Sequence, residues 1–111
     1  MEFETDPVDT DAAVIRCRGR LNMVTAPRLR ALVTETVAQG RPRIVVDLSG
    51  TEFMDSSGLG GLIAGLKTAR QAGGDLRLAS ATPQVTMVLQ LTNLDRVLRP
   101  HGSVTEALRA W

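Results

Sequence analysis

One cysteine, Cys17, is all the chain contains, so no disulfide can close within it, and a reducing compartment suits it. There is one histidine, His101, which leaves a serine nucleophile a single choice of imidazole base. No apolar run approaches the roughly 20 residues that a membrane-spanning helix needs. No basic segment followed by an apolar core opens the chain, as it would in a secretory leader. The expectation is a cytoplasmic protein with no direct membrane insertion. A strong charge imbalance is missing too: the formal net charge of +1 gives no reason to expect nucleic acid or an acidic membrane as partner. The acids are placed unevenly, since Glu2, Glu4, Asp6, Asp9 and Asp11 all precede the first base, Arg16. They read as a solvated acidic strand and turn. A length of 111 residues leaves room for one domain and one modest core.

What is present centres on Ile44 to Leu66, IVVDLSGTEFMDSSGLGGLIAGL. Ile44-Val45-Val46 is continuous, apolar and β-branched, the pattern of a strand buried on both faces. Ser49-Gly50 interrupts it, and Phe53-Met54 follows as a short apolar pair. Asp55-Ser56-Ser57 then opens a helix whose apolar positions, Leu59, Leu62, Ile63, Leu66 and Ala69, fall at helical spacing. Asp and Ser cap helix starts because their side-chain oxygens accept otherwise unpaired backbone N–H groups.

Taken in order, Met1 to Asp6 alternates weakly as an edge strand and Pro7 to Asp11 reads as a turn. Ala12 to Arg18 forms a second strand hairpinned to the first and ended by Gly19. Cys17 points into the core as a small hydrophobe. Thr25-Ala26-Pro27 starts a helix with Thr as cap, carried by Leu29, Leu32, Val33, Thr36 and Val37 and stopped by Gly40 and Pro42. Leu76-Arg77-Leu78 is a strand, Thr82-Pro83 starts a third helix on Val85, Val88 and Leu89, and Val97-Leu98 is a short last strand. Ser103-Val104-Thr105-Glu106 is a capping box opening a final helix. The alternation predicts a single α/β domain: a mixed, mostly parallel sheet of four or five strands with about four helices packed on it.

Four glycines, Gly58, Gly60, Gly61 and Gly65, lie inside the second helix, each costing roughly 0.5–1 kcal/mol against alanine. At 100° per residue Gly58, Gly61 and Gly65 share one narrow strip. The strip serves either close packing on the protein's own sheet or a partner that meets part of it bare. For the serines the choice is between capping, nucleophile, phosphate binder and phosphate acceptor. A hydrolase elbow needs G-x-S-x-G, and neither serine has those flanks. A phosphate-binding loop needs Gly-Lys-Ser/Thr, which is absent. His101 sits in a Pro-His-Gly sequence that reads as a surface turn, and no His/Cys/Asp grouping suits a metal. No cofactor is expected, and phosphorylation survives the elimination.

Phe53-Met54-Asp55-Ser56-Ser57-Gly58-Leu59-Gly60 closely resembles the phosphorylation segment of bacterial anti-sigma factor antagonists of the STAS domain family. Gly19-Arg20-Leu21-Asn22 with Thr25-Ala26 is similar to the family's loop after the second strand, and Ile44 to Leu48 to its central strand. Leu89 through Leu94 resembles the apolar segment before its last strand. The resemblance implies a STAS fold and a non-enzymatic binding protein. It also implies Ser56 as phosphoacceptor, an anti-sigma factor serine kinase as partner, and a phosphatase acting on phosphorylated Ser56. The partner-facing set expected from motif and strip together is Asn22, Asp55, Ser56, Ser57, Gly58, Gly61 and Gly65. The family's loop commonly ends Glu-Leu-Asp, where this chain has Arg20-Leu21-Asn22. A second reading makes the chain a STAS subunit of a larger assembly such as a membrane transporter, with Ser56 only a cap.

Overall fold

The computed structural model describes residues 1–109 and Trp111. Among these residues it carries six strands and five helices: β1 Glu2–Val8, β2 Ala12–Leu21, α1 Ala26–Ala38, β3 Arg43–Asp47, β4 Thr51–Met54, α2 Ser56–Gln71, β5 Asp75–Ala79, α3 Pro83–Leu91, α4 Asp95–Leu98, β6 Pro100–His101 and α5 Val104–Arg109. The strands lie in the order β1-β2-β3-β5-β6, with β4 also paired to β2. Only the β1–β2 hairpin is antiparallel. The expected central strand is therefore central, between β2 and β5, and the three expected helix starts stand at Ala26, Ser56 and Pro83.

Ile44, Val45 and Val46 are fully buried because both sheet faces are covered. Ile44 and Val46 join the main core with Leu29 and Val33 of α1, Leu62 and Leu66 of α2 and Val85 and Leu89 of α3. Val45 belongs to a smaller core on the other face, with Val14, Ala79 and Ala107 of α5. Burying a side chain of this kind contributes about 1.5–3 kcal/mol, and the larger core decides where α2 begins. Elsewhere the second face carries charge. Asp6 and Asp47 both pair with Arg16, and Glu4 pairs with Arg18, so the acidic first strand is matched by bases across the hairpin.

Several boundaries differ from the sequence reading. Gly19 does not end β2; with φ +115, a conformation that costs glycine little, it makes an irregularity after which the strand continues to Leu21. That overhang receives β4, the strand that Phe53-Met54 did not disclose: Arg20 pairs with Phe53 and Leu21 with Met54. The turn that delivers β4 is closed by Thr51 N–H on the Leu48 carbonyl, 3.0 Å, and Ser49 N–H on Asp47 Oδ1, 3.0 Å. Pro7 lies inside β1, which an edge strand tolerates because the missing N–H faces no neighbour. Val97-Leu98 is not a strand: Leu98 N–H bonds the Leu94 carbonyl at 2.9 Å in α4, and the last strand is Pro100–His101. His101 accordingly lies half-buried in β6 rather than on a surface turn. At α5 the capping box forms through Glu106 N–H and Ser103 Oγ, 3.1 Å, while the Glu106 carboxylate reaches back to the Gly102 N–H, 3.0 Å.

Cys17 is fully buried, as expected. Burial, aided by the nearby Asp47 charge, pushes its thiol from 9.0 up to about 12. The unfolded thiol ionises near 9 and the folded one only near 12, so in that window the unfolded chain holds fewer protons. Stability from this group is therefore lost as pH rises above about 9, by roughly 1.4 kcal/mol per pH unit. Denaturant unfolding between roughly pH 8 and 11 should show this fall in the parent, while Cys17→Ala, less stable at pH 8, should lack it.

Candidate functional site

β4 runs straight into α2, and the residue at the junction is Asp55, extended at φ −102, ψ −174. Its Oδ1 accepts the Gly58 N–H at 2.9 Å, its carbonyl accepts the Leu59 N–H at 3.0 Å, and its own N–H donates to the Leu21 carbonyl at 3.2 Å. Asp55 is thus the helix cap, and it ties the first turn of α2 to the end of β2. The capping role considered for Ser56 or Ser57 is already taken. Ser56 is exposed and Ser57 half-buried, and neither hydroxyl makes a hydrogen bond among the described residues. The N–H groups of Ser56 and Ser57 lead the helix with no intrahelical acceptor, where partial positive charge gathers.

Beside this start stands the β2–α1 loop. Asn22 Oδ1 accepts the Val24 N–H at 3.0 Å and the Thr25 N–H at 3.2 Å, and the Asn22 carbonyl accepts from Ala26 at 2.8 Å. The Thr25 hydroxyl does not cap its helix. It donates to the Arg20 carbonyl at 2.8 Å and accepts the Asn22 N–H at 3.0 Å, clamping the loop across its base. So held, the loop leaves Met23 and Val24 73% and 75% exposed. Two large apolar side chains held in water, on a loop that begins one residue after the Leu21 carbonyl that accepts the Asp55 N–H, form a surface with something to bury.

Gln84 has a role that no sequence signal announced. Its amide accepts the Met54 N–H at 2.8 Å and donates to the Met54 carbonyl at 2.9 Å, completing the free edge of β4 just ahead of Asp55. Position alone, one residue after a Thr-Pro helix start, could not have shown that pairing. Arg20 lies with its guanidinium over the Phe53 ring, 4.7 Å from the centroid. Thr82, at the start of α3, likewise spends its hydroxyl on the Thr51 carbonyl, 3.1 Å, rather than on its own helix.

The glycine strip requires correction. Gly58, Gly61 and Gly65 are all buried against the protein's own chain. A Cβ on Gly58 would strike the Leu21 carbonyl, one on Gly61 would stand 3.3 Å from Ala26 Cβ, and one on Gly65 would come within 3.1 Å of Leu76 and 3.3 Å of Val33. No part of that strip is left bare. It lets α2 lie close against α1 and the strand ends, and of the expected partner-facing set Asn22, Asp55, Ser56 and Ser57 remain at the surface or partly so. Gly60 has nothing within 4 Å of its Cβ position.

His101 is not brought to Ser56, since β6 lies three strands across from β2, on the order of 14 Å at the usual spacing. No grouping of three or more His, Cys, Asp or Glu side chains suited to a metal occurs among the described residues. No helix among them is long and apolar enough to cross a membrane. A groove of about 320 Å³ between β1 and α1, lined by Phe3, Thr5, Arg28, Ala31, Leu32 and Glu35, contains none of the candidate residues.

A six-stranded sheet whose fourth strand feeds an Asp-capped helix, led by an exposed serine, defines a small α/β domain. The STAS domain family matches residues 5–107. A Thermotoga maritima protein, provisionally named an anti-sigma factor antagonist, is 32% identical over 99 residues, 88% of either chain. The anti-sigma F factor antagonist of Paenibacillus polymyxa is 28% identical over 96 residues, 86% of this chain and 82% of that one. The solved structure of the anti-sigma factor antagonist SpoIIAA in its unphosphorylated form superposes with a TM-score of 0.83 at 25% identity, over 96% of this chain and 93% of that one. The chain belongs to the STAS domain family, and within it to the anti-sigma factor antagonists. The murine anion transporter Slc26a9, at 15% identity and a TM-score of 0.74 over 21% of its length, shares the fold alone.

Thermal unfolding of four variants checks this geometry. Asp55→Ala should cost about 1 kcal/mol, the usual loss for a helix cap, and Ser56→Ala less than about 0.5 kcal/mol. Gly61→Val should cost about 1–3 kcal/mol by overpacking against Ala26. Gly60→Ala should gain roughly 0.5–1 kcal/mol, because its methyl meets no neighbour. A destabilised Ser56→Ala beside a neutral Asp55→Ala would return the cap to the serine.

Proposed function

We propose that this protein is the antagonist in a phosphorylation-controlled partner switch. Unphosphorylated, it binds an anti-sigma factor that is also a serine kinase and so frees a sigma factor in the cytoplasm. The kinase transfers the γ-phosphoryl of its own ATP to Ser56 Oγ, which gives up its proton, and ADP leaves with the kinase. A separate phosphatase hydrolyses the ester and restores the binding form. The observation that carries this reading is the division of labour at the start of α2: Asp55 makes the cap, so Ser56 is left exposed with no structural duty.

The electrostatics fit a switch. Phosphoserine adds a charge of about −1.5 to −2 at neutral pH. At a helix start that charge is favourable by about 0.3–1 kcal/mol, so modification leaves the fold intact. A partner lying over Ser56, Met23 and Val24 would instead have to desolvate a dianion, which costs several kcal/mol. Since about 1.4 kcal/mol is tenfold in affinity, the complex is lost. The transporter-subunit reading has less support, because it makes Ser56 the cap and Asp55 holds that place.

The test is to incubate the protein with candidate kinase anti-sigma factors and ATP and measure intact mass. One phosphate should appear on the parent and none on Ser56→Ala. Ser56→Ala should keep parental affinity for the kinase, whereas Ser56→Asp should bind at least about tenfold more weakly. Phosphate on Ser56→Ala, or both variants binding every candidate as the parent does with the parent unlabelled, would remove the switch.

A further inference from the structure

Among the described residues Arg20 shares its lack of an ion pair with several other arginines, such as Arg28, Arg30 and Arg41, but it alone of them stands in the β2–β4 ladder beside the start of α2. Arg16, Arg18, Arg43, Arg70 and Arg77 each lie within ion-pair distance of a carboxylate. Arg20 has no such partner among the described residues; it is exposed and rests on Phe53. Its backbone, by contrast, is fixed. The carbonyl is held by the Thr25 hydroxyl, and the residue pairs with Phe53 in the β2–β4 ladder. Only the side chain is free to swing.

What lies within its swing is the start of α2. The next residue, Leu21, carries the carbonyl that accepts the Asp55 N–H and that a Cβ on Gly58 would strike, so the first turn of the helix stands on Arg20's neighbour. From Phe53 to Ser56 the chain advances at most about 10 Å, and Arg20 is displaced from Phe53 by one strand spacing, about 4.8 Å. Two long side chains, arginine and phosphoserine, meet across such a gap. The one carboxylate at the junction, Asp55, already accepts from Gly58, and Arg20 does not bridge to it. An exposed cation–π contact is weaker than a charge-assisted bond to a phosphate dianion.

We infer that Arg20 is the intramolecular counter-ion of phosphorylated Ser56, parked on Phe53 while Ser56 is neutral and drawn onto the phosphate once it is modified. This rests on Ser56 being the phosphoacceptor, and it adds a second change to the switch. The same event that places an anion on the binding face withdraws a cation from it and bares the Phe53 ring.

The test uses the full chain with phosphoserine genetically encoded at position 56, so it needs no kinase and stands apart from whether one is found. The second ionisation of phosphoserine ordinarily lies near pH 6 and is followed by phosphorus NMR. Its midpoint should be lower by about half a pH unit or more in the parent than in Arg20→Gln, the gap closing at roughly 1 M salt. Asp55, beside the phosphate, acts equally in both. Phe53→Leu, which keeps the arginine and removes its resting place, should give a midpoint at least as low as the parent's. The Arg20 side-chain protons should also lose the ring-current shift of Phe53 on phosphorylation. Equal midpoints in the parent and Arg20→Gln, or an Arg20 that stays on the ring, would overturn the assignment.

Discussion

The contact between Asp55 Oδ1 and the Gly58 N–H governs the rest of the site. With the Asp55 N–H on the Leu21 carbonyl, it joins the end of β2, the end of β4 and the start of α2 at one residue. A single carboxylate thereby holds the helix start, which leaves the serine that follows free for chemistry. Had Ser56 supplied the cap oxygen, modifying it would have disturbed a bond that the helix start uses, at a cost of about 1 kcal/mol. Moving that duty back one position separates the helix cap from the exposed hydroxyl, as the proposed switch requires.

The close fit around that contact has its own cost. A helix with four glycines gives up roughly 2–4 kcal/mol of propensity. Three of the four are explained by proximity: Leu21, Ala26, Val33 and Leu76 occupy the space that side chains would need. The main core offsets the loss, since Leu59, Leu62, Leu66 and Ala69 on the neighbouring face of α2 are all buried in it. The strip is therefore an internal seam, and what is exposed around the helix start is the loop apolars Met23 and Val24, Arg20 and Ser56, which the proposed switch takes as its binding face. Gly60, open to solvent one turn from Ser56, has no internal reason for lacking a side chain.

The central strand, the three helix starts and the Asp-Ser-Ser junction were legible because each has a local cause: β-branched runs, cap residues, and proline in the first turn. The pieces that escaped depend on contacts distant in sequence. β4 exists because β2 overshoots β3 after the Gly19 irregularity, and nothing in Thr51 to Met54 alone says that an unpaired strand waits alongside. Gln84 matters only once β4 has a free edge to complete. Whether the glycine strip faced inward or outward could not be read from its angle on the helix, because α1 packs against the flank that the apolar pattern leaves open. The Val97-Leu98 reading followed β-propensity over two residues, where the Leu94–Leu98 spacing of one helical turn was the stronger signal.

The central claim is that phosphorylation alters a surface and spares the fold. Amide chemical shifts and hydrogen exchange, recorded on the protein before and after Ser56 is modified, test it directly. Changes should be confined to Arg20–Thr25, the Phe53–Asp55 segment at the end of β4 and the first turn of α2, with protection of β3 and β5 unchanged. Loss of protection spreading through α2 into the sheet would show that the switch works by unfolding, and would contradict the separation that Asp55 provides.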